Sequence, residues 1–296
     1  VSAALLSLSV AGAPPAHADA QAVCVGQGAS NAGCSSATVT ITVSVNGSAT
    51  TLSAGGAPVC TDNGVTIPCG LSSGAWWSSS RGCYVSKASP QPPQTESVWE
   101  GHTDGAIYQC MTFANGTGAP VNSLFWSGSA PVSTAQVAQL AAEATSSLNL
   151  QGIAVGMAPE PTSINPASIG IVGLPNWMWA KAPSAQTWGP ASASRSSGGL
   201  TVNVVARAQT VTWDMGDGSA PIICTGPGTP YSASYGKAPS PTCGYSGYTR
   251  QGTYPVSALT HWVVAYTSNV GISGQLVLDL TSTASVTIGE LQTTVG

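Results

Sequence analysis

Apolar and polar positions alternate with a period of two along much of the chain. Thr38 to Val45 (TVTITVSV) alternates strictly and predicts a strand, and Asn46-Gly47 directly after it suits a two-residue hairpin turn. The same rhythm returns from about residue 186. Thr187–Arg195, Leu200–Ala208, Thr210–Asp214, Thr253–Thr267 and Gln275–Ile288 are predicted strands, with turn formers between them. The period changes once. From Ser133 to Leu150, Val137, Leu140, Ala141, Ala144 and Leu148 fall on one helical face, behind a capping-box spacing at Ser133-Thr134-Ala135-Gln136. Ile169 to Trp179 reads as a strand leading into the C-terminal region, with Trp177 and Trp179 on the same face.

Composition supports a mainly β chain. The 296 residues include 35 Gly and 21 Pro, and Ser, Thr and Val are abundant. The length suits about two domains. Charged side chains are only 6% of the total, with a formal net charge of -4, against roughly 25% in an ordinary soluble domain. Seven scattered Lys and Arg cannot neutralise a phosphate backbone, so nucleic acid is not an expected partner. Three histidines, at 17, 102 and 261, leave few candidates for His-based catalysis or metal binding.

Residues 3–13 form an apolar run too short to span a bilayer, followed by the small-residue sites Ala16-His17-Ala18 and Ala18-Asp19-Ala20. This is the pattern of a signal-peptide end, with cleavage expected after Ala18 or Ala20. No later run is long enough for a membrane span, so a secreted or envelope-associated product is expected. Eight cysteines, an even number, then point to disulfides: Cys24, Cys34, Cys60, Cys69, Cys83, Cys110, Cys224 and Cys243. Pairing between sequence neighbours gives 24–34, 60–69, 83–110 and 224–243. Zinc is not expected, because no C-x-x-C spacing occurs. The expected organisation is a signal-peptide remnant (1–20), a Cys-rich N-terminal β region (21–131), a helix and linking strand (132–179), and a C-terminal β-sandwich (180–296).

Trp213-Asp214-Met215-Gly216-Asp217-Gly218-Ser219 is the most informative string. It resembles the W-D-F-G-D-G-S signature of PKD-type (polycystic-kidney-disease-type) domains, with Met in place of Phe. Tyr248 to Val256 (YTRQGTYPV), containing Tyr248, Gly252 and Tyr254, looks like the same family's Y-x-x-x-G-x-Y-x-V strand. The resemblance covers about residues 180–296 and implies an immunoglobulin-like β-sandwich. A long insert (220–243) carrying Cys224 and Cys243 departs from the pattern, as does Ser246 where many members carry His. The whole arrangement, including Gly173 to Trp179 (GLPNWMW), also resembles secreted, uncharacterised actinobacterial proteins encoded near export or conjugation-type machinery.

The string needs no catalytic role. Trp213 at a strand end can fill space between sheets, Gly216 and Gly218 suit positive φ, and Asp214 and Asp217 suit acceptance of turn N–H groups. A calcium site at the two aspartates is the weaker reading, because the spacing is not that of an EF-hand loop. Glu100, His102 and Asp104 form the only dense titratable cluster; on a strand they would share a face and supply a hydrolase's acid and base or a metal ligand. The expected reading is nevertheless a polar surface edge or turn, because no further His lies nearby in sequence. Gly70 to Gly74 fits G-x-S-x-G but lacks strand-turn-helix context. Trp76 and Trp77 are candidate ligand-binding residues: neighbours on a strand point to opposite faces, and an exposed Trp can stack on a sugar or a partner side chain, whereas burial of both by the disulfide-bonded loops is the expectation from how apolar Trp is.

These observations predict a secreted protein with no enzymatic activity, no cofactor and no metal, binding a protein or glycan at the cell surface through aromatic and hydroxyl-rich loops. The competing expectations are a glycan-binding protein using Trp76 or Trp77 and a hydrolase using Glu100, His102 or Asp104.

Overall fold

In a computed structural model, residues 20–24, 37–45, 48–113 and 120–291 are described, with side chains at Leu52 and from residue 55 onward. The fold is mainly β, as the alternation predicts. In chain order the strands are β1 (Ala20–Cys24), β2 (Ala37–Val45), β3 (Ser48–Ala54), β4 (Val59–Asp62), β5 (Val65–Ile67), β6 (Trp76–Ser78), β7 (Cys83–Lys87), β8 (Ala106–Phe113) and β9 (Pro120–Ser127). The helix α1 (Thr134–Ser146) follows, then β10 (Val155–Ala158), β11 (Ile169–Ile171), β12 (Asn176–Ala180), β13 (Ala191–Ser197) and β14 (Leu200–Asp214). The chain continues with β15 (Ile222–Cys224), β16 (Gly244–Tyr245), β17 (Gly252–Ser268) and β18 (Ile272–Gly289).

The largest sheet runs in the order β1-β2-β3-β18-β17-β14-β13, with β4, β11 and β15 also paired to its long strands. Its frame is β14, β17 and β18, of 15, 17 and 18 residues. Leu200–Ala208 and Thr210–Asp214 are therefore one strand. A bulge between Ala208 and Thr210 joins them, and it shifts the buried parity from Val202, Val204 and Ala206 to Val211 and Trp213. The missing beat in the sequence is this bulge.

The N-terminal hairpin β2–β3 joins the C-terminal sheet, with Ser53 opposite Val277 and Ala54 opposite Leu276. Val45 pairs with Ser48; Asn46-Gly47 itself lies outside the described residues. The segment Ile169–Trp179, expected as one strand, is two. Gly173 at φ +77° turns the chain, so that β11 runs parallel to β18 while β12 pairs with β10 and β16.

One face of the large sheet carries two cores end to end. In the first, Val202, Val204, Trp262, Val264, Leu276 and Leu278 pack against α1 and against Trp77 and Tyr84 of the four-stranded sheet β6-β7-β8-β9. All five predicted apolar residues of the helical segment are buried. At its start the Ser133 side chain accepts from the Gln136 N–H and the Gln136 side chain accepts from the Ser133 N–H. The helix stops at Ser146, four residues before the expected Leu150, where Ser146, Ser147 and Asn149 turn their side chains on nearby carbonyls. In the second core, Met157 and Met178 from the three-stranded sheet β10-β12-β16 meet Trp213, Val256, Ala258 and Ile288. Residues 153–180 thus share a core with the segment after 180.

Three of the four expected disulfides are present: Cys60–Cys69, Cys83–Cys110 and Cys224–Cys243. The 24–34 pairing lies outside the described side chains. Among the described residues no helix is long and apolar enough to cross a membrane.

Candidate functional site

The Trp213–Ser219 string forms a turn at the end of β14. Trp213 is buried between the two sheets at 1% exposure. Asp214 Oδ1 accepts the Gly216 N–H at 2.8 Å, and Asp217 Oδ1 accepts the Ser219 N–H at 3.0 Å. Gly216 and Gly218 sit at φ +75° and +82°. At Gly216 a Cβ would also lie 2.0 Å from the Pro255 carbonyl oxygen, whereas at Gly218 nothing stands within 4 Å.

A tyrosine cluster braces this turn. Tyr245 donates to Asp217 Oδ2 at 2.5 Å, Tyr248 to the Met215 carbonyl at 3.0 Å, and Tyr254 to the Arg250 carbonyl at 2.9 Å. The Tyr248 ring stacks on Tyr254 at 4.2 Å and meets Tyr245 edge-on at 5.1 Å. Gly252 opens β17. Burial pushes the Tyr248 phenol far above its ordinary range, and the Asp217 charge adds to this. The Asp217 carboxyl is held below its usual range: desolvation opposes this and is outweighed by hydrogen bonds from Tyr245 and the Ser219 backbone. Asp217 thus spends both carboxylate oxygens on the turn and its tyrosine brace, and Asp214 spends one on the turn. His261 is paired elsewhere, its Nδ1 2.6 Å from Asp279 Oδ1 on the neighbouring strand.

Glu100, His102 and Asp104 lie not on a strand but in the turn between a short 3-10 segment (Ser97–Trp99) and β8, so the shared face imagined for them does not form. All three are exposed. Glu100 has φ +51°, the His102 ring stacks flat on Trp126 at 3.5 Å, and the Asp104 carbonyl accepts the Trp126 indole N–H at 2.7 Å. Gly70–Gly74 is a turn closed by the Leu71 N–H on the Ala75 carbonyl and by a bridge from Gly70 to Trp76, with no helix after it. Among the described residues no three His, Cys, Asp or Glu side chains converge to hold a metal ion.

Trp76 and Trp77 do point to opposite faces of β6. Trp77 is buried in the first core, edge-on to Tyr84 at 5.2 Å. Trp76 is half-buried against a small outer cluster with Val85 and Tyr108. Neither is among the exposed aromatic residues. Trp77 instead forms part of the wall of a cavity of about 350 Å³, together with Tyr84, Met111 and Phe113.

The sequence marked the 220–243 insert only as a departure from the PKD-type pattern and not as a candidate site. The Cys224–Cys243 bond closes a loop that folds back over β12. Trp177 donates its indole N–H to the Ala238 carbonyl at 2.8 Å, and its ring meets Tyr231 at 5.4 Å and Tyr235 at 4.5 Å. Trp177 is 1% exposed, whereas Tyr231 and Tyr235 are 36% and 41% exposed. The loop and the β11–β12 turn enclose a second cavity of about 260 Å³ whose wall includes Asn176, Trp177, Tyr231 and Lys237. The aromatic and hydroxyl content of TGPGTPYSASYGKAPSPT (225–242) was the available signal. What it lacked was the knowledge that Trp177, about 50 residues earlier, anchors it. Comparison with protein-family models, with curated proteins and with solved structures gives no match.

Proposed function

We propose that the chain is an exported, non-catalytic interaction protein that contacts a cell-surface partner through the disulfide-closed 224–243 loop. The observation that carries this reading is the pair of exposed tyrosines, Tyr231 and Tyr235, braced on a buried Trp177. Tyrosine offers a large amphipathic contact area at small entropic cost, and small hydroxyl residues around it adapt their hydrogen bonds to the partner. Loops held on a rigid scaffold are where binding residues concentrate. With charge at 6% of residues, such contact proceeds with little electrostatic steering.

In the same reading the C-terminal sandwich is of PKD type. The turn geometry at Gly216, Gly218, Asp214 and Asp217 supports this. The insert is then this chain's elaboration of that scaffold, and an accessory role at an export or conjugation-type apparatus is the setting in which it would work.

A second reading is a cell-wall glycan as the partner. The cavity beside Tyr231 favours it, because a tyrosine ring, an Asn amide and a Lys ammonium at one site suit the hydroxyl groups and apolar face of a sugar. Capture from the envelope fraction of the producing cell, run beside a glycan panel, tests both. Wild type binds, and the Tyr231→Ala/Tyr235→Ala double variant, with an unchanged melting temperature, loses roughly thirtyfold or more in affinity. Equal binding by the double variant refutes the loop as the contact surface.

A further inference from the structure

The cavity around Trp77 shares no residue with the 224–243 loop, and its chemistry is different. Its wall joins Trp77, Tyr84 and Phe113, in edge-to-face contact at 5.2 and 6.0 Å. Met111 and Asp62 stand in the same wall, and Ile67, Pro68 and Leu71 are among its other lining residues. No Lys or Arg lines it. The nearest basic residue in sequence, Arg81, holds its guanidinium 3.6 Å over the Phe125 ring in the outer cluster. The ion pairs among the described residues, Arg195–Glu143 and His261–Asp279, lie elsewhere. Asp62 Oδ1 accepts only from the neighbouring Asn63 amide at 3.1 Å. A carboxylate with no cation thus stands in the wall of an aromatic cavity.

We propose that this cavity is a binding site for a small alkylammonium compound, above all one bearing a trimethylammonium group. Aromatic ring faces and a polarizable sulfur attract such a cation, and its weak hydration makes entry inexpensive. Asp62 supplies the counter-charge. The Tyr84 phenol is raised above its ordinary range, first by burial and then by the nearby charge of Asp62.

Choline chloride is the probe, titrated calorimetrically into the oxidised full chain. Its control is choline's uncharged carbon isostere, in which a tert-butyl group replaces trimethylammonium. The charge itself makes choline bind about tenfold or more tighter than the isostere. Asp62→Asn, a partly exposed position that keeps the fold and its melting temperature, brings choline down toward the isostere. Phe113→Leu weakens choline more than the isostere. Sedimentation with phosphatidylcholine and phosphatidylglycerol vesicles separates the two sources of the group. Pelleting with the first alone marks a lipid headgroup, and binding of free choline without pelleting marks a soluble compound. Equal affinity for choline and isostere overturns the proposal. So does the absence of heat with choline up to about 10 mM, or an Asp62→Asn variant that binds as wild type does. None of these results bears on the tyrosine loop.

Discussion

Gly216→Ala and Gly218→Ala form a matched pair that isolates what the Trp213–Ser219 turn demands. Both glycines have positive φ, +75° and +82°, so each substitution carries the left-handed penalty of about 1–2 kcal/mol. They differ in space. At Gly218 the new methyl meets nothing within 4 Å, whereas at Gly216 it would stand 2.0 Å from the Pro255 carbonyl oxygen. That carbonyl belongs to β17, locked between β14 and β18, so the turn must move instead. Movement breaks the Asp214 Oδ1 to Gly216 N–H bond and pulls the Met215 carbonyl from the buried Tyr248 hydroxyl. A hydrogen bond lost with a buried partner left unpaired costs about 1–3 kcal/mol. The expected loss is therefore about 1–2 kcal/mol for Gly218→Ala and about 2–5 kcal/mol for Gly216→Ala. Urea unfolding of the oxidised chain, followed by tryptophan fluorescence and far-UV circular dichroism, reads both. Equal losses would refute the argument that close packing against β17, rather than backbone conformation alone, fixes this glycine.

Two further outcomes follow from the same region. Replacing Cys224 and Cys243 together by Ala frees a loop of 19-residue separation, an expected cost of about 3 kcal/mol, and exposes the 225–242 segment to limited proteolysis while the rest of the chain resists. The carboxyl of Asp217 is depressed in the folded state. Its contribution is therefore present above the ordinary carboxylate pKa and is lost as pH falls through the depressed value. In urea midpoints measured from pH 6 to pH 2, Asp217→Asn shows a shallower acid decline than wild type; parallel declines would contradict this.

Local patterns were legible in the sequence and long-range partnerships were not. The alternation at Leu200–Ala208, its lapse at Gln209 and its resumption at Val211 and Trp213 encoded both a strand and its bulge. The Ser133/Gln136 spacing fixed where α1 starts, because capping is decided within four residues. Disulfides between sequence neighbours followed from short separations. The insertion of β3 beside β18, more than 200 residues away, left no local trace. Neither did the seating of Ala238 on Trp177. The adjacent Trp76 and Trp77 announced opposite faces, yet the sequence could not tell that α1 and the long sheet would bury Trp77. The acidic and histidine cluster was legible as a polar turn: Gly101 and Gly105, at φ +82° and +74°, turn the segment, and no period-two face exists there.

The claim on which the account rests is that an exported β scaffold works by contact through its tyrosine-bearing loop. Its most direct test is the affinity of wild type and of the Tyr231→Ala/Tyr235→Ala variant for a partner captured from the envelope fraction, with stability measured alongside. The account predicts an unchanged melting temperature and a loss of roughly thirtyfold or more in binding. Full binding by the variant would contradict it.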